Sequence, residues 1–319
     1  MENLTDKIKG GLYGLLIGDA VGVPYEFHLK QDLPPYHQLD LYPPENFSRS
    51  YPHIAPGTWS DDGAQALCLL QSLLSCHSLN LEDCMQRFVS WYENGYMAID
   101  NEVFDVGIQT LDAIHKFMMG MPVMKVADHR EHANGNGALM RSLPLALWHK
   151  GSDHQLIEDA YLQSHLTHAH IRSKVCCALY CLWARYILKG QGIDDAWQTS
   201  VQILRQYYHS CPLDSEQLEI YIRPDERIMG QGTGYVVDCL HSARFALQRK
   251  TYQDVIRTAV ALGNDTDTTA CVAGGLAGLH FGYHQLPLDW VTELKGKSLV
   301  RPLIQQLLEH CQCISSEAS

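Results

Sequence analysis

The 319-residue chain has no CxxC pair, no apolar run of the ~18 residues that a membrane span needs, almost no alternating apolar–polar stretches, and fewer cations than anions. Each shortage excludes something. The 11 cysteines are odd in number and many sit in apolar helical runs (Cys68, Cys176, Cys177, Cys181, Cys271), so they read as reduced, buried thiols of a cytoplasmic protein rather than a disulfide framework. Zinc is not expected, because Cys311-Gln312-Cys313 has only His310 beside it. The segment Met1–Lys7 has no signal-peptide pattern, and no membrane association is expected. Lys and Arg total 24 against 36 Asp and Glu, a net charge of −12, which argues against binding duplex nucleic acid. A small anionic ligand held by backbone donors remains compatible with that charge. Helical periodicity dominates and no composition shift marks a linker, so one all-α domain is expected, with a core over about 7–285, a proline-rich loop at 29–57 and a C-terminal helical extension and tail at 286–319.

What is present in excess is oxygen at helix starts. Asp265-Thr266-Asp267-Thr268 precedes the small, apolar run Ala270–Gly278. One helix cap needs one side-chain oxygen, and this stretch offers four. Ser60-Asp61-Asp62, about two hundred residues earlier, likewise opens an apolar helix with more acid than capping requires. Neighbouring carboxylates repel unless something positive lies between them. Two such motifs, four carboxylates and two hydroxyls together, suit one or two hard divalent cations.

Other stretches supply the surroundings. Gly10, Gly11, Gly14, Gly18 and Gly22 recur at helical spacing and form a small-residue stripe for a close helix contact. Pro24 ends that helix, and Glu26 just beyond it reads by position as a surface residue. The prolines between 29 and 57 exclude regular structure and suggest a loop that covers a site. Asp105, alone before a helical pattern, reads as an N-cap. Asn134-Gly135-Asn136-Gly137 is a turn leading toward a helix, and such a turn exposes N–H groups to an anion. It is not a P-loop, since no Gly-Lys-Ser/Thr follows it. His168 and His170 sit two apart and cannot face the same way on a helix, so at most one of them reaches a site. A second glycine-rich loop, Arg227–Tyr235, feeds another helix.

In order along the chain, Gly18-Asp19-Ala20-Val21-Gly22 with Glu26, Ser60-Asp61-Asp62, Phe104-Asp105-Val106-Gly107, Gly135–Arg141, Thr167-His168, Gly234-Tyr235-Val236 and Asp265–Thr268 resemble the ADP-ribosylglycohydrolase family, most closely its dinitrogenase reductase-activating glycohydrolase branch. The resemblance implies a single-domain orthogonal helical bundle with two Mg²⁺ or Mn²⁺ at the base of an ADP-ribose cleft. It implies Ser60, Asp61, Asp62, Asp265, Asp267 and Thr268 as ligands, Asp267 bridging, and Glu26 beside the metals. Asp105 would stand near the scissile ribose, and Glu26, Asp61 and Asp105 are the candidates for proton transfer. Asn134, Gly135, Asn136, Gly137 and His168 would hold diphosphate and ribose, with Gly234 and Tyr235 near the adenine. Ser60 replaces the usual threonine, Asn264 stands where glycine is common, and Gly63 where threonine is common. The implied activity is hydrolysis of an ADP-ribosyl bond, from arginine on a protein in the first instance, releasing ADP-ribose. Serine, nucleic-acid or small-molecule conjugates, ADP-ribose binding without turnover, and a two-metal phosphoesterase are the alternatives.

Overall fold

The computed structural model describes residues 2–312. Its helices are α1 (Glu2–Gly22), α2 (Asp61–Cys76), α3 (Leu81–Asn94), α4 (Ile108–Met118), α5 (Leu143–Trp148), α6 (Asp153–His165), α7 (Ile171–Leu188), α8 (Ile193–Tyr207), α9 (Pro212–Glu216), α10 (Val236–Ala246), α11 (Tyr252–Val260), α12 (Thr266–Phe281), α13 (Leu288–Glu293) and α14 (Lys297–Gln312). Among the described residues there is no strand, only three isolated bridges. The fold is the expected all-α one.

The glycine stripe organises it. A Cβ at Gly10, Gly14 or Gly18 would lie 2.2, 2.4 or 2.1 Å from the carbonyl oxygen of Gly278, Gly274 or Ala270 on α12. Gly274 and Gly278 reciprocate against the carbonyl oxygens of Gly14 and Gly10. Two backbones therefore touch along the length of α1, a contact open only to residues without side chains. At its far end, a Cβ at Gly22 would lie 2.3 Å from the Cα of Asp267. The first turn of α12 is thus brought beside the end of α1, just before Glu26. Behind this pair lies α7, fully buried from Val175 to Ala184, which is why its sequence is apolar on every face.

The segment 29–57 contains no α-helix, as its prolines dictate, but it does form 3₁₀ turns at Lys30–Asp32 and Tyr36–Gln38. It folds back over the end of α1 through Ser50, whose N–H donates to the Pro24 carbonyl (3.2 Å) and whose hydroxyl donates to the Glu26 carbonyl. The ten cysteines among the described residues are free thiols, seven of them buried. Cys313 lies outside the described residues, while Cys311 sits against the Leu147 carbonyl (3.8 Å).

Candidate metal centre and cleft

The two acidic helix starts meet. Ser60 caps α2 by accepting the Asp62 N–H (3.3 Å), and its hydroxyl donates to Asp62 Oδ2 (3.1 Å). From α12, 206 residues away, the Thr268 hydroxyl donates to the same Asp62 oxygen (3.3 Å). Asp265 holds the N-cap position of α12 but makes no cap hydrogen bond. Its Oδ2 instead accepts from the Asn136 side-chain amide (2.8 Å), tying the acidic run to the glycine-rich turn.

Two predicted positions prove different from their local reading. Glu26 is 3% exposed, not a surface residue, because α12 and the 29–57 loop close over it. Asp105 caps nothing: Gly107 takes that place on α4, and a left-handed φ of 54° turns Asp105 inward. There it stands in two carboxylate groups. Glu26, Asp105 and Asp267 have oxygens within 4.8 Å of one another, and so do Asp61, Asp62 and Asp105.

The electrostatics of this floor are severe. Burial, then the Asp105 charge, pushes the Glu26 carboxyl up to about 10. Burial raises Asp61, Asp62 and Asp267 well above the ordinary carboxylate range, and like-charge repulsion, led by Asp105, Asp19 and Glu26 respectively, adds to it. Glu26 Oε2, Asp62 Oδ1 and Asp267 Oδ2 are buried with no hydrogen-bond partner among the described residues. Orphaned carboxylate oxygens are costly unless a cation or proton satisfies them. An all-oxygen set of this kind fits hard divalent ions and not zinc.

Above the floor opens a cleft of about 790 Å³. Glu26, Asp61, Asp105, Asp265 and Thr268 line its base, and Gly135, Asn136, Gly137, His168 and Gly234 one wall. The two glycine-rich loops pair there: Asn136 N–H donates to the Gly234 carbonyl (3.0 Å) and Val236 N–H to the Asn134 carbonyl (2.9 Å). Gly135 N–H is taken by Gln109 Oε1 (2.9 Å), so the Gly135 and Asn136 amides are already used within the protein. The Asn134 side chain is likewise engaged, with the Glu131 carbonyl (2.7 Å) and Ser173 (3.1 Å), and shapes the turn from behind. Tyr235 does not line the cleft; its hydroxyl accepts from Arg172 (3.2 Å) beside it. Of the two histidines only His168 reaches the cleft, and His170 caps α7 through the Arg172 N–H (3.1 Å).

Two residues to which the sequence reading gave no role support this arrangement. Asp19 is buried and accepts the N–H of Ser60 (2.9 and 3.1 Å) and of Gly63 (2.8 Å), which fixes the start of α2. Tyr51 donates to Asp105 Oδ1 (2.9 Å). The atypical residues also find their reasons. Asn264 has a φ of 63°, a conformation that glycine and asparagine share. A Cβ at Gly63 would lie 2.7 Å from Trp59 Cγ and 2.8 Å from Leu16 Cδ2, which leaves no room there for threonine.

The sequence profile of the ADP-ribosylglycohydrolases matches residues 1–316. The chain belongs to the ADP-ribosylglycohydrolase family. It is 29% identical over 306 residues to ADP-ribosylarginine hydrolase Tri1 of Serratia proteamaculans (strain 568), a match covering 95% of this chain and 79% of that protein. It is 25% identical over 296 residues to ADP-ribosyl-[dinitrogen reductase] glycohydrolase of Rhodospirillum rubrum, covering 92% of each. A solved ADP-ribosylglycohydrolase-related protein complex matches the fold with a TM-score of 0.75 at 26% identity, covering 97% of this chain and 99% of that one. As an ADP-ribosylglycohydrolase the chain is a hydrolase of glycosidic bonds, and its clustered carboxylates are possible metal ligands. No helix among the described residues is long and apolar enough to cross a membrane.

Proposed function

We propose that this protein removes ADP-ribose from arginine side chains of modified proteins, using Mg²⁺ or Mn²⁺ in a two-metal centre, in the reducing environment its buried thiols suit. The observation that supports the metal-dependent part is the meeting of Thr268 with Asp62, together with three buried, unpartnered carboxylate oxygens on Glu26, Asp62 and Asp267, next to a cleft that Glu26 and Thr268 line. The arginine linkage is supported by the Tri1 relative. Ser60, Asp61, Asp62, Asp265, Asp267 and Thr268 would hold the ions, with Glu26 nearby. When bound there, the ions supply Lewis acidity toward the ribose hydroxyls and a polarised water.

The protein's own groups do the rest. Departure of the guanidine leaves positive charge on the ribose ring, and the buried carboxylates of the floor lie below to stabilise it. Asp105 belongs to both carboxylate groups and accepts from Tyr51 through one oxygen, which makes it a candidate for proton transfer near the scissile bond. Glu26 and Asp61 are the other candidates for that proton. Gly135, Asn136, Gly137 and His168 form the wall that would receive ribose and diphosphate, with Asn134 holding the turn from behind, and Gly234 is the wall residue toward the adenine, with Tyr235 beside the cleft and not in it.

A panel of arginine-, serine- and nucleic-acid-linked ADP-ribose, assayed with Mg²⁺ and with Mn²⁺, tests the reading. Metal-dependent release of ADP-ribose from the arginine conjugate is expected. Binding without turnover on every substrate, or release of AMP, would overturn it.

The charged floor also sets a pH dependence. A carboxyl whose folded pKa lies above its unfolded value of ~4 stabilises the fold at low pH, and that stability is lost as pH rises through the folded pKa. Here the window runs from about pH 4 upward, through about 7 for Asp19, where burial outweighs its N–H bonds, toward about 10 for Glu26. Divalent ions compete with protons for the same oxygens. The gain in melting temperature on adding 5 mM Mg²⁺ to chelator-treated protein is therefore expected to grow from about pH 5 to pH 8. A gain that shrinks over that range would count against these carboxylates as the ligands.

Gly137 offers a test of the wall. A Cβ there would lie 2.9 Å from His168 Cε1 and 3.4 Å from Nε2. Gly137→Ala is expected to displace the ring, weaken ADP-ribose binding about tenfold in calorimetry and lower the melting temperature by a few degrees.

A further inference from the structure

Arg141 lies fully buried, bonded on one side to Gln65 and on the other to Thr167, and among the described residues no carboxylate is in hydrogen-bond contact with it. Its five N–H groups meet five acceptors. Nε donates to Gln163 Oε1 (3.2 Å), Nη1 to Gln65 Oε1 (2.9 Å) and the Gly137 carbonyl (3.2 Å), and Nη2 to the Gln163 carbonyl (3.1 Å) and Thr167 Oγ1 (2.8 Å). A guanidinium can only donate, so every atom facing it must accept. That single fact propagates in two directions.

Toward the floor, it fixes the Gln65 amide with oxygen to Arg141, so the NH₂ faces Asp61 Oδ2 at 2.9 Å. Toward the wall, Thr167 Oγ1 accepts from Arg141 and lies 2.7 Å from His168 Nδ1, with no other partner among the described residues. The threonine proton then has one destination, His168 Nδ1. The reverse arrangement, Nδ1–H donating to Thr167, would leave a buried hydroxyl hydrogen unpaired. With Nδ1 accepting, a neutral ring carries its proton on Nε2. That nitrogen has no protein partner among the described residues, and it lies on the cleft wall beside Gly135 and Gly137.

We propose that Arg141 is a positioning residue that, through Thr167, locks His168 in the neutral Nε2–H form and so presents one fixed hydrogen-bond donor to an anionic oxygen of the ligand. Two further facts agree. Burial, and then the Arg141 charge, hold His168 down to about 3, so the ring does not become a cation near neutrality. Arg141 itself, though burial lowers it to about 10, stays charged at neutral pH. The choice of ADP-ribose as the ligand rests on the functional reading above; the lock does not.

The test uses the full chain labelled with ¹⁵N-histidine, and the ring nitrogens of His168 are read by long-range ¹H–¹⁵N correlation. The His168 signals among the 17 histidines are assigned by their loss in His168→Asn. In the parent, Nε2 protonated and Nδ1 unprotonated from pH 5 to pH 8 is expected. Thr167→Val keeps the shape and removes the relay, and is expected to give mixed tautomers and an ADP-ribose Kd about tenfold higher by calorimetry. Arg141→Lys, which cannot supply five donors, is expected to behave alike; if it does not fold, Thr167→Val decides. An Nδ1–H or doubly protonated His168 in the parent at pH 7 overturns the proposal. So does a Thr167→Val protein with the parent tautomer and affinity. A parent that shows the Nε2–H form but binds no ADP-ribose upholds the lock and overturns the functional reading instead.

Discussion

Asp267→Asn is expected to yield a folded protein that resists heat better than its parent when both are stripped of metal, yet has lost about a thousandfold or more of its hydrolytic activity. The substitution is chosen for what it keeps. Asp267 Oδ1 accepts the Thr268 N–H at 2.9 Å, and an asparagine carbonyl can do the same. The change falls on Oδ2, buried and without a partner. In the metal-free protein this oxygen is a liability, because burial and the Glu26 charge oppose its ionisation. Replacing it with a neutral amide relieves that opposition, so melting in excess chelator is expected to rise by a few degrees. With Mg²⁺ the order reverses, since the parent gains stability from the ion and the variant gains little. Scanning calorimetry with and without Mg²⁺, beside an assay on ADP-ribosyl-arginine, reads both effects. Full activity in the variant would remove Asp267 from the centre, and a parent with no Mg²⁺-dependent melting shift would remove the centre itself.

The parts of this site that were legible in the sequence share one property: they carry more chemistry than local structure can use. Asp62 and Thr268 each belong to a helix start with surplus oxygens, and in the fold the two starts meet through a 3.3 Å hydrogen bond. The glycine stripe was legible for the same reason, since five glycines in one helix are unfavourable without a backbone to meet. Glu26 and Asp105 were illegible by position because each has a sufficient local account, as a residue past a helix end and as a cap. What buries Glu26 is a loop returning from Ser50 and a helix that begins 240 residues later, and no periodicity in residues 20–30 encodes either. What turns Asp105 inward is one left-handed residue, and aspartate is common enough both there and at caps that its identity does not decide. Arg141 shows the same limit. Its five acceptors lie on segments from Gln65 to Thr167, and only the folded chain brings them together. The relation of Asn264 to its neighbours is intermediate, as its departure from glycine was visible but its φ of 63° was not.

The close approach of α1 and α12 makes the second strong expectation, that Gly18→Leu destabilises the protein by about 3 kcal/mol or more and weakens Mg²⁺ binding at the same time. A Cβ at Gly18 would lie 2.1 Å from the Ala270 carbonyl oxygen and 2.7 Å from its carbon, so backbone, not a flexible side chain, would have to yield. The two helices must separate by about 1 Å to restore a contact of ordinary length, and in a close-packed interior that shift spreads along both. Toward the C-terminal end of α1 the contact closes on Gly22 and Asp267, where a Cβ would lie 2.3 Å from the Asp267 Cα. Separation there moves Asp267 and Thr268 away from Asp62 and Glu26, and the ligand oxygens no longer converge. A loss of roughly 5–10 °C in melting temperature is expected, together with a fall in Mg²⁺ affinity measured by titration on the fraction that remains folded. Gly192→Ala serves as the control: its φ is −64° and the nearest atom to an added Cβ is an Asp195 carboxylate oxygen at 3.6 Å, so both readings should stay near the parent. Parent-like melting and Mg²⁺ affinity in Gly18→Leu would show that the helix contact does not hold the two acidic motifs in register.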